Sequence, residues 1–486
     1  MSDDNSKNSL LLFQLGPVQS FIAQAETLGD LAVGSSILSE VTAAAIQSFD
    51  GWQDALVFPS PKDNPELKGI PNRFLMFVPK GRGEEIAEAC EDAARNKLSV
   101  LATETHQIFK RDHPGKLDNP IPFLQQVNHF LQITWAVLEE PTGDMGKDYK
   151  AIGKLMAMRR NTREFDAWLE AGYGQKKDFL SGKEVALLNG RGAMNLIKQF
   201  RAEQEADQFE IPEGLCKEKY IAVIAMDGDQ MGKTLSGFKN IDGHRKFSEQ
   251  LGAFAIAVAP IIEEFAGQLI YAGGDDVLAI VPAKKAVTCA AKLSNLFSEN
   301  VKNKNSESLT ASAGIAIGHS SVPLQDLVHA AHDAESRAKK TYGRNALAIS
   351  IYKRSGEILE WGCKWGSKAL DVYGELFTLS TLHNEEQINI GRFPYKLAAL
   401  LQPYALKGEV DKQMQAIVMA EYDHAVEQTK DMRDEHKRER LTRDYVTAYL
   451  EECCKDKDGV SAKPEDFLNL FMAETFINRQ REGEDD

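Results

Sequence analysis

Residues 221–233 read Ile221-Ala-Val-Ile-Ala-Met-Asp227-Gly228-Asp229-Gln230-Met231-Gly232-Lys233, an apolar run that ends in Asp-Gly-Asp. The run predicts a buried strand, and carboxylates at the end of such a strand are costly unless paired or bound to a cation. The next informative stretch outward is Leu269-Ile-Tyr-Ala-Gly273-Gly274-Asp275-Asp276-Val-Leu-Ala-Ile-Val281, two apolar strands flanking a tight turn. Its turn chemistry is that of a hairpin. Around these two segments the patterning predicts helix over about 244–265, strands at 268–272 and 276–282, helix over 284–300, strand 309–318, helix 323–341 and strand 346–352. A βαββαβ order with an added helix and strand is a palm-like, ferredoxin-type sheet, expected with its helices on one face.

In that order the first strand lies beside the central hairpin, so Asp227 faces Asp275 and Asp276. Gly-Asp sequences also make plain turns, and each motif alone is explained that way. Together they bring three carboxylates to one sheet edge, where they repel one another unless a cation such as Mg²⁺ or Mn²⁺ sits among them. Hard oxygen ligands that leave room for water and phosphate suit nucleotidyl transfer with two ions. Asp229 fits a helper or a turn residue equally. Gly228 to Thr234 ends in Gly-Lys-Thr, but three residues separate its glycines where a P-loop needs four, and a P-loop is excluded.

A further segment, Ala334 to Ala346, reads AESRAKKTYGRNA and places Lys339, Lys340 and Arg344 where a helix ends before the last strand. Cations there complement the helix dipole, and they also suit a clamp on triphosphate. His329 and His332, three apart on a helix, lack an acidic or cysteine partner at metal-ligand spacing and read as structural.

The chain has 486 residues, enough for about three domains, and 43% of them are apolar. Its formal net charge of −15 argues against a protein that coats nucleic acid non-specifically. Six cysteines with no C-x-x-C spacing exclude a disulfide framework and make a zinc ribbon unexpected, so no zinc is assigned. No signal-peptide h-region follows Met1, and the longest apolar run, Ala253 to Ile262, is too short for a membrane span, which leads to the expectation of a cytoplasmic chain without a membrane partner. The expected class is α+β. A first palm-like unit spans 9–140, with strands at 10–15, 55–58 and 74–78 and helical patterns over 18–46 (broken near Gly29 and Gly34), 84–110 and 120–138. A helical inter-palm region without a zinc ribbon covers 141–214 and carries the cluster Arg159, Arg160 and Arg163. The second palm covers 215–355, and an all-helical domain with the charge-laced stretch Lys430–Asp444 covers 356–486.

These residues carry a resemblance to a known family. GPVQSFIAQA at 16–25, GDLAVGSSILSE at 29–40, MDGDQMG at 226–232, YAGGDDVLA at 271–279, SAGIAIGH at 312–319 and AKKTYGRNAL at 338–347 stand in the order found in the large polymerase-like subunit of type III CRISPR effector complexes, and the chain resembles its type III-B branch. The Lys-rich piece is also similar to the corresponding end of GGDEF cyclases, whose cations contact phosphate. The resemblance implies two palm domains, the second catalytic, making cyclic oligoadenylate from ATP when target RNA binds a guide-loaded complex of other type III-B subunits. It gives Asp227, Asp275 and Asp276 as catalytic and metal-binding residues. Gly228, Gly273, Gly274, Lys339, Lys340 and Arg344 are the nucleotide-binding candidates, with either lysine as the clamp. Fuller members begin with an HD nuclease domain, whereas here the first palm starts within ten residues of Met1, so no DNase activity is expected. Many members carry zinc-binding cysteines between the palms, and Phe179–Gly192 has none. Some HD-less members join AMP to S-adenosylmethionine, which the same carboxylates would serve. A non-catalytic scaffold and a stand-alone diguanylate cyclase are the competing readings. The scaffold leaves three clustered carboxylates unexplained, and the cyclase leaves the preceding palm and Val277 unexplained.

Overall fold

The structure is a computed structural model that describes residues 8–162 (except 19, 20, 22, 23, 26 and 63), 186–188, 212–381, 393–404, 411–428, 443–454, 463 and 466–479. Arg163 and most of the stretches Phe179–Gly192 and Lys430–Asp444 lie outside the described residues.

The first sheet forms from β1 (Asn8–Gly16), β2 (Leu56–Phe58), β3 (Arg73–Pro79) and β4 (Gln132–Leu138), ordered β2-β3-β1-β4 with antiparallel pairings. Helices α1 (Leu28–Gln47), α2 (Gly83–Asp112) and α3 (Ile121–Phe130) connect them. This is the ferredoxin-type order the sequence predicts. Two local expectations differ. Residues 132–138 are strand, not the end of a helix, because pairing with β1 overrides a weak local pattern. Helix α1 starts at Leu28, beside the break expected near Gly29, with a capping box in which Thr27 and Asp30 bond reciprocally, and it then runs unbroken through Gly34. A helix α4 (Met145–Asn161) covers the free face, burying Met145, Ile152 and Met156 against Leu10, Leu12, Leu75 and Phe77.

The second sheet has six strands in the order β10-β9-β8-β5-β7-β6. Its core is β5 (Tyr220–Gly228), α5 (Ile241–Glu264), β6 (Gln268–Gly273), β7 (Asp276–Pro282), α6 (Ala286–Asn300) and β8 (Ala311–His319). Helix α7 (Leu324–Lys340) crosses to β9 (Ala346–Tyr352), the one parallel pairing in this sheet among the described residues. The helices lie on both faces, contrary to the one-sided expectation. Ala222, Ile224 and Met226 of β5 pack with α5 and α6, whereas Ile221, Val223 and Ala225 pack under Leu327, Val328 and Ala331 of α7. A strand apolar at every position is the signature of a sheet buried on both sides.

The sheet also extends past the expected boundary at 355. Strand β10 (Ile358–Lys364) pairs antiparallel with β9 through a short turn at Gly356. Its alternate residues Trp361 and Cys363 join the core that carries the C-terminal helices. Those helices are α8 (Lys368–Thr381), α9 (Phe393–Leu401), α10 (Lys412–Gln428), α11 (Arg443–Cys454) and α12 (Phe467–Arg479).

Candidate active site

The β6–β7 hairpin sets the geometry. Gly273 pairs with Asp276, leaving Gly274 and Asp275 as a two-residue turn, and Gly274 takes φ +79. A positive φ at the first central position is the type II′ pattern that matches the strand twist and demands glycine. On the neighbouring strand, Met226 pairs with Val277, so Asp227 stands one step beyond, at the level of Asp276. Gly228 completes the approach, since a Cβ there would lie 2.9 Å from the Asp275 Cβ. The result is a cluster in which ligand oxygens of Asp227, Asp275 and Asp276 all lie within 4.8 Å of one another.

The electrostatics of this cluster are unbalanced. Burial raises the carboxyls of both Asp275 and Asp276 above the usual range, and for Asp276 the charges of Asp275 and Glu335 add to it. Asp276 nonetheless borders open space along one edge. A cation would relieve the repulsion, and the donor set, three carboxylates with a solvent-connected side, fits a divalent metal that keeps water and phosphate ligands. The protein's own nearest cation is Lys339, whose Nζ reaches the Asp227 carboxylate and lies 2.6 Å from Glu335. Burial, with help from Arg344, lowers the Lys339 ammonium to about 8, and burial raises Glu335 to about 7, with the charge of Asp229 adding to it.

Helix α7 delivers Glu335 and Lys339 because Gly314 of β8 lets it lie close. A Cβ at Gly314 would collide with the Glu335 amide nitrogen and the Ala331 carbonyl. Arg337 fixes the helix to the sheet through Glu360 at 2.7 Å and the Ile349 carbonyl at 2.8 Å. Of the other sequence candidates, Lys340 and Arg344 are exposed, and Arg344 sits in a left-handed turn with Gly343 and Asn345.

Asp229 is not part of the cluster. It is 4% exposed and accepts from the Thr310 hydroxyl, the Ser312 hydroxyl and the Asn345 amide, each at 2.8 Å. It is an anchor that ties the end of β5 to β8 and to the turn before β9. Sequence reasoning did not single out Glu335, although it lies in AESRAKK one turn before Lys339. Arg160, which lines the site from the last turn of α4, stood out in the sequence only as one of a cluster of arginines, with no role at the site.

That contribution is the largest surprise of the geometry. A cavity of about 780 Å³ lies between the sheets, lined by Gln14, Asn72, Thr134 and Arg160 on one side and by Asp227, Tyr271, Asp276 and Glu335 on the other. Two segments of the chain match family models: residues 220–348 match the second palm domain of Cas10/Cmr2, and residues 10–103 match the N-terminal region of the CRISPR-associated protein Cmr2. Over these two segments the chain is similar to Cas10/Cmr2. The second-palm match spans every residue of the carboxylate cluster and Lys339. Over 165 residues the chain is 35% identical to the Cmr2 subunit of the Cmr system of Pyrococcus furiosus, covering 28% of this chain and 19% of that protein. It is 26% identical over 233 residues to the single-strand-specific deoxyribonuclease Cas10/Csm1 (subtype III-A) of Streptococcus thermophilus, 45% of this chain and 28% of that one. The matched regions thus span under a third of each curated relative. Among solved structures, a chain of the type III-B Cmr-beta complex bound to cognate target RNA has a TM-score of 0.60 at 10% identity, covering 98% of this chain and 83% of that one. The Csm1–Csm4 cassette in complex with cA4 gives 0.55 at 11% identity, covering 98% and 70%. At such identities these likenesses bear on the fold alone, a Cas10-type pair of palm sheets. No described helix is long and apolar enough to cross a membrane.

Proposed function

We propose that this chain, similar to Cas10/Cmr2, is the nucleotidyl transferase of a type III-B CRISPR effector complex, condensing ATP into cyclic oligoadenylate with release of pyrophosphate. The observation that carries the reading is the convergence of Asp227, Asp275 and Asp276, two of which, Asp227 and Asp276, line the inter-sheet cavity. The cA4-bound Csm1–Csm4 cassette of the same fold agrees with it.

Two divalent ions, Mg²⁺ or Mn²⁺, held by these three carboxylates would supply Lewis-acid activation of a ribose 3′-hydroxyl and neutralise the triphosphate. The chain's own residues do the rest. With the carboxylates occupied by cations, Lys339 is released from Asp227 to meet phosphate oxygens, and Glu335 remains to hold its ammonium. Lys340 at the exposed end of α7 and Arg344 in the turn after it add positive charge along the path of the leaving pyrophosphate. Gly273 and Gly274 keep the turn slim enough for phosphate to approach its backbone, and Gly228 does the same for β5. The cavity, walled by both palms, holds the reacting ends near one another. With a net charge of −15, the chain leaves most contacts to guide and target RNA to the other subunits of the complex.

The test is product analysis. The reconstituted complex is incubated with labelled ATP, with and without target RNA and S-adenosylmethionine, and products are identified by mass spectrometry. Cyclic oligoadenylate that requires target RNA is expected, and the double variant Asp275→Ala/Asp276→Ala should assemble normally and make none. An adduct of AMP with S-adenosylmethionine in place of the cyclic product would reassign the acceptor while keeping the site. A double variant that assembles and still makes product removes these carboxylates from the mechanism and returns the chain to a scaffold.

A further inference from the structure

Lys339 is the penultimate residue of α7, so the place of its ammonium depends on what caps that helix. The cap is a turn of three successive left-handed residues, Gly343 at φ +74, Arg344 at φ +65 and Asn345 at φ +48. Through it the Arg344 amide reaches the Ala338 carbonyl at 3.3 Å. Glycine enters that region freely. For a side chain such as Arg344 it is strained, and the conformation persists only where its surroundings hold it.

Three sides hold it. The Asn345 amide donates to Asp229 beyond the end of β5, 2.8 Å away. At the end of β10 the Trp365 amide donates to the Asn345 carbonyl at 2.9 Å, and Lys364 Nζ lies 3.4 Å from the Gly343 carbonyl. The third tie comes from the C-terminal helices, where the Tyr342 hydroxyl donates to the carboxylate of Asp466, the residue before α12. Tyr342 is 2% exposed and Asp466 8%. Burial and the Asp466 carboxylate raise the Tyr342 hydroxyl well above its usual range, so it stays a donor. Gly362 of β10 makes room for the ring, since a Cβ there would stand 2.5 Å from it. A carboxylate just before a helix suits the helix start, but that role needs no buried phenol. For packing alone an apolar side chain would cost less to bury than Asp466.

We propose that Tyr342 and Asp466 are positioning residues for nucleotidyl transfer, an inference that rests on the nucleotidyl-transfer reading. Their bond lets the start of α12 lock the cap of α7 and so hold Lys339 where it meets triphosphate. Neither side chain lines the inter-sheet cavity. Without the bond the strained turn relaxes, the last turn of α7 frays, and Lys339 loses its place beside Asp227. The carboxylate cluster stands on other strands and keeps its geometry. The mark of the tie is therefore a weaker hold on ATP with little change in turnover.

The test measures initial-rate synthesis by the assembled complex with Mg²⁺ and target RNA over a range of ATP concentrations. Tm and amide hydrogen exchange of the purified full-length chain are read alongside. Tyr342→Phe keeps the ring and removes the hydroxyl. It should raise the KM for ATP about fivefold, leave kcat within about twofold, and speed exchange over residues 338–347 about tenfold. Asp466→Ala should do the same. Asp466→Asn, which keeps an acceptor for the phenol, should bring KM back to within about twofold of wild type. Lys339→Ala should raise KM further, and adding Tyr342→Phe to it should change KM no more, because the tie acts through Lys339. Val418→Ala, at a buried position on α10 outside this turn, is the control for lost stability: its Tm should fall and its KM stay. Unchanged KM or unchanged exchange in Tyr342→Phe, or effects of Tyr342→Phe and Lys339→Ala that simply add, overturn the positioning role, while product from wild type still upholds the transfer site. Wild type that makes no product overturns both readings. If Tyr342→Phe does not fold, Asp466→Asn against Asp466→Ala decides, and equal KM in those two overturns the role.

Discussion

Asp229 and Asp275 stand at two ends of the same problem, a carboxylate near the end of a buried strand. Asp229 is solved by protein donors, with two hydroxyls and one amide on its oxygens. Asp229→Ala should therefore cost about 3 kcal/mol, because buried Ser312 and the half-buried Thr310 and Asn345 amide lose their acceptor. Chemical denaturation of purified variants measures this directly. Asp275 and Asp276 are both raised by burial, Asp276 further by the charges of Asp275 and Glu335, and only a backbone hydrogen bond at Asp275 works against it. In chelator, Asp275→Asn/Asp276→Asn should be at least as stable as wild type. Adding Mg²⁺ should raise the wild-type Tm, since a ligand that binds only the folded state stabilises it by mass action, and leave the variant unmoved. A variant less stable in chelator would mean that the carboxylates hold the hairpin together. The convergence of the three aspartates was legible in the sequence because a strand end and a two-residue turn are local features. The distinct fate of Asp229 was not, because its partners come from residues 310, 312 and 345.

At the scale of elements, the sheet could be read wherever an apolar run met strong turn chemistry, as at β5 and the β6–β7 hairpin. Strand β4, Gln132-Ile-Thr-Trp-Ala-Val-Leu, follows a helix with no glycine or proline between them, and only its pairing with β1 decides its state. Strand β10 was hidden for a related reason. Its exposed residues Ile358 and Glu360 alternate with buried Leu359 and Trp361, and the pattern is short. The close approach of α7 to β8 was visible only as a glycine in SAGIAIGH. Gly314→Ala tests its meaning, because the added methyl must push α7 off the sheet and carry Glu335 and Lys339 away from Asp227. Stability should fall by about 2 kcal/mol or more, and nucleotide synthesis should be lost even where the variant remains folded. Gly252 in the middle of α5 is the contrast: a Cβ there meets nothing within 4 Å. Gly252→Ala should stabilise the chain by about 0.5–1 kcal/mol and leave synthesis intact.

For the whole molecule, the two palms are joined by exchanged packing as well as by the chain between them. Leu31 at the start of α1 belongs to the apolar face of the second sheet under α7, while Val41 and Ile46 of the same helix sit in the first core. In return Ile241, the first residue of α5, packs with the first-palm core around Leu12 and Val57. These contacts fix the gap between the sheets, and the gap is the cavity. No local pattern in either palm reports it, which is why the sequence offered the carboxylates but not their opposite wall. Arg160 is the charged member of that wall, exposed at the last turn of α4 and lining the cavity across from Asp227 and Asp276. A guanidinium facing carboxylates that hold a metal–triphosphate is placed for phosphate oxygens. Arg160→Glu should raise the KM for ATP by about tenfold or more, the scale of one lost charge-assisted contact, and shift stability by less than about 0.5 kcal/mol, as expected for an exposed position. The measurement is initial-rate synthesis by the assembled complex over a range of ATP concentrations, with thermal unfolding alongside. Unchanged KM in a normally folded variant would confine the nucleotide to the second palm and leave the first sheet as a scaffold.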